Sequence, residues 1–254
     1  MAPEAALHGE EDVLRARFYR LLSHLLQAPP KAEDLELLAG MTGDATPLGE
    51  AVGGVARVAA GMAPAAIGRE YHNLFIGLGR GELVPYGSYY LTGFLHEKPL
   101  AKLRADLIRH GIERSPEVRE PEDHIAALCG AMAGLILGEF GEPATLDDQK
   151  RFFETHIAPW AKYFFTDLEA AQSAVFYATV GRAGADVCPG SVTTTSRVSG
   201  LSERMRRSTS NAQPSASSRP MAASGGLPKI SRSWSRASSS PPRKDTSARP
   251  GSVP

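Results

Sequence analysis

The chain has 254 residues, 42% of them hydrophobic, with 28 basic and 28 acidic side chains. That zero balance hides a division, because residues 1–187 hold 17 basic and 26 acidic side chains while residues 188–254 hold 11 and 2. Two cysteines, Cys129 and Cys188, do not make a disulfide framework, the acidic stretch from Met1 to Asp12 is no secretory signal, and no apolar run approaches the ~20 residues of a membrane span. A secreted disulfide scaffold and an inserted membrane protein are thereby excluded, and the expected location is cytoplasmic.

From Glu10 to Gln27, Val13, Leu14, Phe18, Leu21, Leu22, Leu25 and Leu26 recur at helical spacing and form one apolar stripe. Pro29-Pro30 stops this helix. Lys31 to Met41 predicts a second, short helix, and Pro47 to Gly61 a weaker one rich in Ala and Gly. Pro64 opens another, since proline is tolerated in a first turn, and Ile67, Tyr71, Leu74 and Phe75 share its face. The glycines and prolines between Gly77 and Tyr90 predict a long loop carrying Tyr86, Tyr89 and Tyr90. Lys98 to His110 is helical with Gly111 as its stop, and a polar connector follows near 111–121. Glu122 to Phe140 is the strongest helix, with Glu122 and Asp123 placed in its first turn. Leu146 to His156 is helical, Pro159-Trp160 marks a bend, and Thr166 to Gly184 is the last helix.

These segments predict an all-α fold, a single helical-bundle body over residues 1–187 of about eight or nine helices. Residues 188–254 contain 18 serines with many Arg and Pro, a composition that cannot bury enough surface to order itself. A disordered basic tail is expected there. Such a tail can bind RNA or anionic surfaces, but its composition fits translation in a shifted frame better.

Little in the sequence points to catalysis or metal binding. No His-Glu-x-x-His, Cys-x-x-Cys or Glu-x-x-His spacing occurs, so no metal, cofactor or catalytic residue is expected. Gly77-Leu78-Gly79-Arg80-Gly81 lacks the Gly-Lys-Ser/Thr of a phosphate loop and reads as a turn. Two constellations remain. Glu120-Pro121-Glu122-Asp123-His124 stands at the start of the strongest helix; capping accounts for Pro121, Glu122 and Asp123, but less well for His124, because a cation is disfavoured there. Function and capping balance. The second is aromatic: Tyr71, Leu74 and Phe75, then Pro85-Tyr86-Gly87-Ser88-Tyr89-Tyr90. Core packing is the ordinary fate of such a stripe, and a peptide groove is the alternative.

Taken in order along the chain, Glu70-Tyr71-His72-Asn73-Leu74-Phe75, Pro85-Tyr86-Gly87-Ser88-Tyr89-Tyr90-Leu91, Glu120-Pro121-Glu122-Asp123-His124 and the stretch from Pro159-Trp160 through Phe164-Phe165 to Phe176-Tyr177 resemble the TorD/DmsD/NarJ family of molybdoenzyme maturation chaperones. The resemblance covers about residues 10–185. It implies a non-enzymatic, all-helical chaperone that binds the twin-arginine leader or the apo form of a molybdopterin-dependent oxidoreductase catalytic subunit, assists cofactor insertion and delays export. The leader-binding residues it implies are Tyr71, Leu74, Phe75, Pro85, Tyr86, Gly87, Ser88, Tyr90, Pro121, Asp123 and His124, with Asp123 taking an arginine. Clients among the family's enzymes include formate dehydrogenase, to which residues 94–137 incline, dimethyl-sulfoxide-type reductases and nitrate reductases. A monomer or a domain-exchanged dimer is implied. A nucleotide- or small-ligand-binding helical protein and a nucleic-acid adaptor acting through the tail are the alternatives, and neither explains both constellations.

Overall fold

Eleven of the thirteen residues of one helix, Ile125–Leu137, are buried, and a helix that is apolar all round must occupy the centre of a bundle. The computed structural model describes residues 9–187 and the backbone of Trp234–Arg236. In chain order its helices are α1 (Glu10–Gln27), α2 (Ala32–Ala39), α3 (Pro47–Gly61), α4 (Pro64–Tyr71), α5 (Gly87–Thr92), α6 (Lys98–Arg109), α7 (Ile125–Leu137), α8 (Leu146–His156), α9 (Ala158–Ala170) and α10 (Phe176–Val187). A single π turn, His72–Ile76, extends α4 and is closed by the Gly77 N–H donating to the His72 carbonyl at 2.7 Å.

The long α1 lies along α7 and turns Ala16, Tyr19, Leu22, Leu25 and Leu26 inward. On the other flank α10 packs against α9 and α3. The α9–α10 crossing is close enough that a Cβ at Gly184 would stand 2.3 Å from the Phe165 ring, and one at Gly181 2.6 Å from the Glu169 nitrogen. Glycine is required at both. The largest enclosed side chains, Trp160, Phe164, Phe165, Phe176 and Tyr177, gather at this crossing.

The fold class is all-α, as expected, with ten α-helices among the described residues where eight or nine were expected. Three local differences account for the change. Pro159 is not a bend but lies in the first turn of α9, where proline costs nothing. The last expected helix, Thr166 to Gly184, is broken at residues 171–175 into α9 and α10. And α5 forms inside the glycine- and proline-rich loop. The strongest helix starts later than expected, at Ile125, so Glu122 and Asp123 precede it. A three-residue strand, β1 (Ile112–Arg114), also pairs antiparallel with β2 (Trp234–Arg236), Ile112 opposite Arg236. Neither segment was expected as a strand. Apart from β2, the expected disordered or frame-shifted segment 188–254 lies outside the described residues.

The break between α9 and α10 is made by carboxylates far away in sequence. Glu82 accepts the N–H groups of Gln172 and Ser173. Glu70, buried at 6% exposure, accepts three more: Val175 at 2.8 Å and Tyr177 at 2.6 Å on Oε1, and Phe176 at 3.1 Å on Oε2. These are otherwise orphaned donors of a helix N-terminus, where negative charge is also favoured by the helix dipole. Removing the carboxylate leaves buried N–H groups unpaired. Glu70→Ala is therefore expected to lower unfolding stability by about 2–3 kcal/mol, with Glu70→Gln losing less. Urea denaturation of the two variants beside the parent checks this; an Ala variant within error of the parent removes the assignment.

Candidate functional site

The two sequence constellations meet at one place. Pro85–Ser88 runs antiparallel to Asp123–Ile125, with Tyr86 bridged to His124. Gly87 N–H donates to the Asp123 carbonyl at 3.0 Å, and Ile125 N–H to the Pro85 carbonyl at 2.9 Å. The Asp123 side chain extends the clamp, accepting the Ser88 N–H on Oδ2 at 2.7 Å. One residue thus holds the first turn of α5 through both its backbone and its carboxylate. Ser88 is fully buried and Asp123 is 3% exposed. Ser88 Oγ and Asp123 Oδ1 have no hydrogen-bond partner among the described residues.

Gly87 lies on the Trp160 indole, and a Cβ there would come within 2.9 Å of the indole nitrogen. That nitrogen donates to the His156 carbonyl at 2.8 Å, so the ring is fixed from behind. Tyr90, one turn on, packs against Trp160 and Phe164 with centroids 5.5 and 6.0 Å away, and its hydroxyl donates to Asp167 at 2.9 Å. Burial, that hydrogen bond and the Asp167 charge raise the Tyr90 pKa.

Outside the clamp, the Tyr86 hydroxyl donates to Glu120 Oε2. Its ring stands edge-on to His124, centroids 5.1 Å apart. Burial, the bond to Glu120 and nearby negative charge push the Tyr86 pKa up. Glu122, two residues on, is buried and paired. Arg104 donates to its Oε2 from Nε at 3.0 Å and Nη2 at 2.8 Å, and Arg114 donates to Oε1 at 3.3 Å. Burial alone would raise the Glu122 pKa; the bonds from Arg104 and its own backbone N–H, with the charges of Arg104 and Arg114, bring it below the ordinary value.

His124 corrects the expectation that it gains nothing at a helix start. It is the N-cap of α7, and its Nδ1 accepts the Ala126 N–H at 3.1 Å. A cation could not do this, but a neutral imidazole can. Burial lowers its pKa to about 4 against the opposing charges of Glu120 and Asp123, so it is neutral where it caps.

The aromatic helix is placed differently from the expected groove. Leu74 is fully buried, Tyr71 is buried and Phe75 is partly so. Tyr71 donates to the Gln27 carbonyl at 2.8 Å and packs with Phe75 and Tyr177 at centroid distances of 5.0 and 5.7 Å. Tyr71 and Leu74 are core, because Ile67, Tyr71 and Leu74 form the inward stripe of α4 and its π turn. Tyr71 nonetheless borders the clamp: burial and the charge of Glu120 push its phenol up to about 12. Pro85 and Asp123 are buried too, and Pro121 is half-buried, its carbonyl accepting the His124 N–H at 3.2 Å. Asp123 is not presented to an incoming arginine.

Sequence reasoning missed Trp160, Glu70, Glu120, Arg104 and Arg114 as partners of this region. Glu70 and Glu120 stood inside quoted motifs without a role, whereas the arginines, 18 and 8 residues from Glu122, carry no local signal. Among the described residues no three His, Cys, Asp or Glu side chains gather as metal ligands, and no single helix is long and apolar enough to cross a membrane.

The family model described as nitrate reductase delta subunit matches residues 42–166, which include every leader-binding residue expected from the sequence. Residues 42–166 of the chain are thus matched to this family, the TorD/NarJ group. Relatives in it include the chaperone protein TorD of Vibrio vulnificus (strain CMCP6), 28% identical over 103 residues, covering 37% of this chain and 48% of the relative. TorD of Psychrobacter sp. (strain PRwf-1) is 31% identical over 101 residues, covering 37% and 46%. The chain thus spans about half the length of these family members. A solved structure described as a redox enzyme maturation protein from Archaeoglobus fulgidus is 20% identical, with a TM-score of 0.46, covering 72% of this chain and 97% of that one.

The His124 cap gives this region a pH dependence. The folded pKa of about 4 lies below the ordinary 6.5, so between these values the unfolded chain binds more protons and stability falls as pH falls. From pH 7 to pH 5 the contribution lost is about 1–2 kcal/mol. His156 is also lowered to about 4 by burial and the charges of Lys102, Arg109 and His110, but Asp106 lies 2.6 Å from its Nε2 and favours the charged ring, so His124 is the cleaner probe. His124→Asn, which keeps a capping acceptor, is expected to reduce the fall in melting temperature between pH 7 and pH 5 without abolishing it. An unchanged slope in thermal melts would mean that His124 is already charged in the fold.

Proposed function

We propose that this chain is a maturation chaperone for a molybdopterin-dependent oxidoreductase, working by binding and not by catalysis. In this reading it acts in the cytoplasm on the twin-arginine leader or the apo catalytic subunit, so that cofactor insertion precedes export. Formate dehydrogenase is the client toward which the sequence inclines. The observation that carries the reading is the clamped strap: Pro85–Ser88 is pinned to Asp123–Ile125, and this leaves Tyr86 half-buried and Glu120 exposed beside it, while Pro85, Ser88 and Asp123 are buried. The names of the family's relatives, chaperone protein TorD, support the same class of activity.

A twin-arginine leader offers a basic pair followed by an apolar turn. The acidic excess of residues 1–187 attracts the pair over a range set by the ~8 Å Debye length at physiological salt. Leu91 at the end of α5, and Phe94 and Leu95 just beyond it, are exposed at 43%, 69% and 43%. They supply apolar surface at the end of the short helix that the strap fixes and just beyond it, suited to the leader's apolar turn.

Calorimetric titration of the full chain with synthetic leaders from candidate molybdoenzymes tests this reading. Micromolar binding that weakens when the apolar turn is replaced by serines is the expected result. Absence of binding to every leader, with binding to the leaderless apo subunit, would move recognition to the folded client; absence of both would end the chaperone reading.

A further inference from the structure

Three carboxylates lie within four residues, and their surroundings separate them. Glu122 is buried and matched by Arg104 and Arg114. Asp123 is enclosed, with one oxygen on the Ser88 N–H. Glu120 alone is exposed. Its Oε2 accepts the Tyr86 hydroxyl, while its Oε1 takes no hydrogen bond among the described residues. The Tyr86 ring stands beside it, braced edge-on by a His124 that burial keeps neutral.

An exposed carboxylate with a free oxygen next to an aromatic ring suits a planar cation. A guanidinium can donate two parallel N–H bonds to such a group and lay its face on the ring, whereas an ammonium makes only the charge contact. We propose that Glu120, and not Asp123, is the specificity-determining residue that receives an arginine of the client's basic pair, with Tyr86 as its stacking wall and Asp123 as the positioning residue that holds the strap. This assignment rests on the leader-binding reading. No proton or covalent bond changes hands; the arginine displaces water and shares Glu120 with the Tyr86 hydroxyl.

Because Glu120 is exposed, its replacement does not threaten the core. The test is titration of the full chain, and of Glu120→Gln and Glu50→Gln, with an Arg-Arg leader and its Lys-Lys counterpart. Glu50 lies exposed on α3 and is the control for loss of one negative charge. The expected result is that the parent and Glu50→Gln prefer Arg-Arg, and that Glu120→Gln weakens the Arg-Arg leader by about tenfold, a loss typical of one charge-assisted contact. Its effect on Lys-Lys is expected to be smaller, so the preference collapses. A Glu120→Gln variant that keeps the parent's preference overturns the assignment while leaving leader binding intact. Equal binding of both leaders by the parent also overturns it, since the surface would then read no guanidinium. A parent that binds neither leader overturns the leader-binding reading itself, and the assignment with it.

Discussion

Asp123 holds two stretches of chain that would not hold themselves. The short helix α5 has only six residues, far below the length at which a helix is stable in isolation. It persists because Asp123 accepts the Gly87 and Ser88 N–H groups, because Gly87 lets the backbone rest on Trp160, and because Tyr90 is tied to Asp167. Each contact comes from a different part of the chain. The strap is therefore a tertiary object, fixed from α7 on one side and α9 on the other, and it is rigid only while the bundle is intact.

Charge in this region is sorted by burial. A carboxylate removed from water must be paired or hydrogen-bonded. Glu122 meets that demand with two arginines, and Asp123 in part, with the Ser88 N–H on one of its two oxygens. Glu70 meets it with three N–H groups at the start of α10. All three are structural, and they fix the elements on which exposed groups stand. Glu120, at the edge of the clamp, keeps its solvent contact and so keeps the capacity to exchange one partner for another.

Much of the fold was legible where local chemistry decides it. Helices at Pro47–Gly61 and Leu146–His156 follow from a capping threonine, a proline in the first turn or acidic residues at the start, together with helical spacing. The break between α9 and α10 was not legible, because residues 171–175 include no proline or glycine and the turn is imposed by Glu70 and Glu82 from about 90 to 107 residues away. The start of α5 was hidden for the same reason: its cap, Asp123, lies 35 residues downstream. In the site, the residue types were visible but their exposure was not. Tyr71 and Leu74 look the same in sequence whether they line a groove or a core, and only their packing against Tyr177 and α1 decides for the core.

If Glu120 receives a cation as proposed, the capping role of His124 also serves recognition. An imidazolium at this position would face the positive end of the α7 dipole and would stand next to Glu120, cancelling the charge an incoming cation needs. The burial that lowers its pKa removes both conflicts, since the neutral ring caps α7 through Nδ1 and leaves the carboxylate uncompensated. The ring also braces Tyr86, so the same desolvation that stabilises the helix start holds the aromatic wall in place. In the proposed reading, fold and recognition thus make the same demand of one side chain, that it stay uncharged at neutral pH.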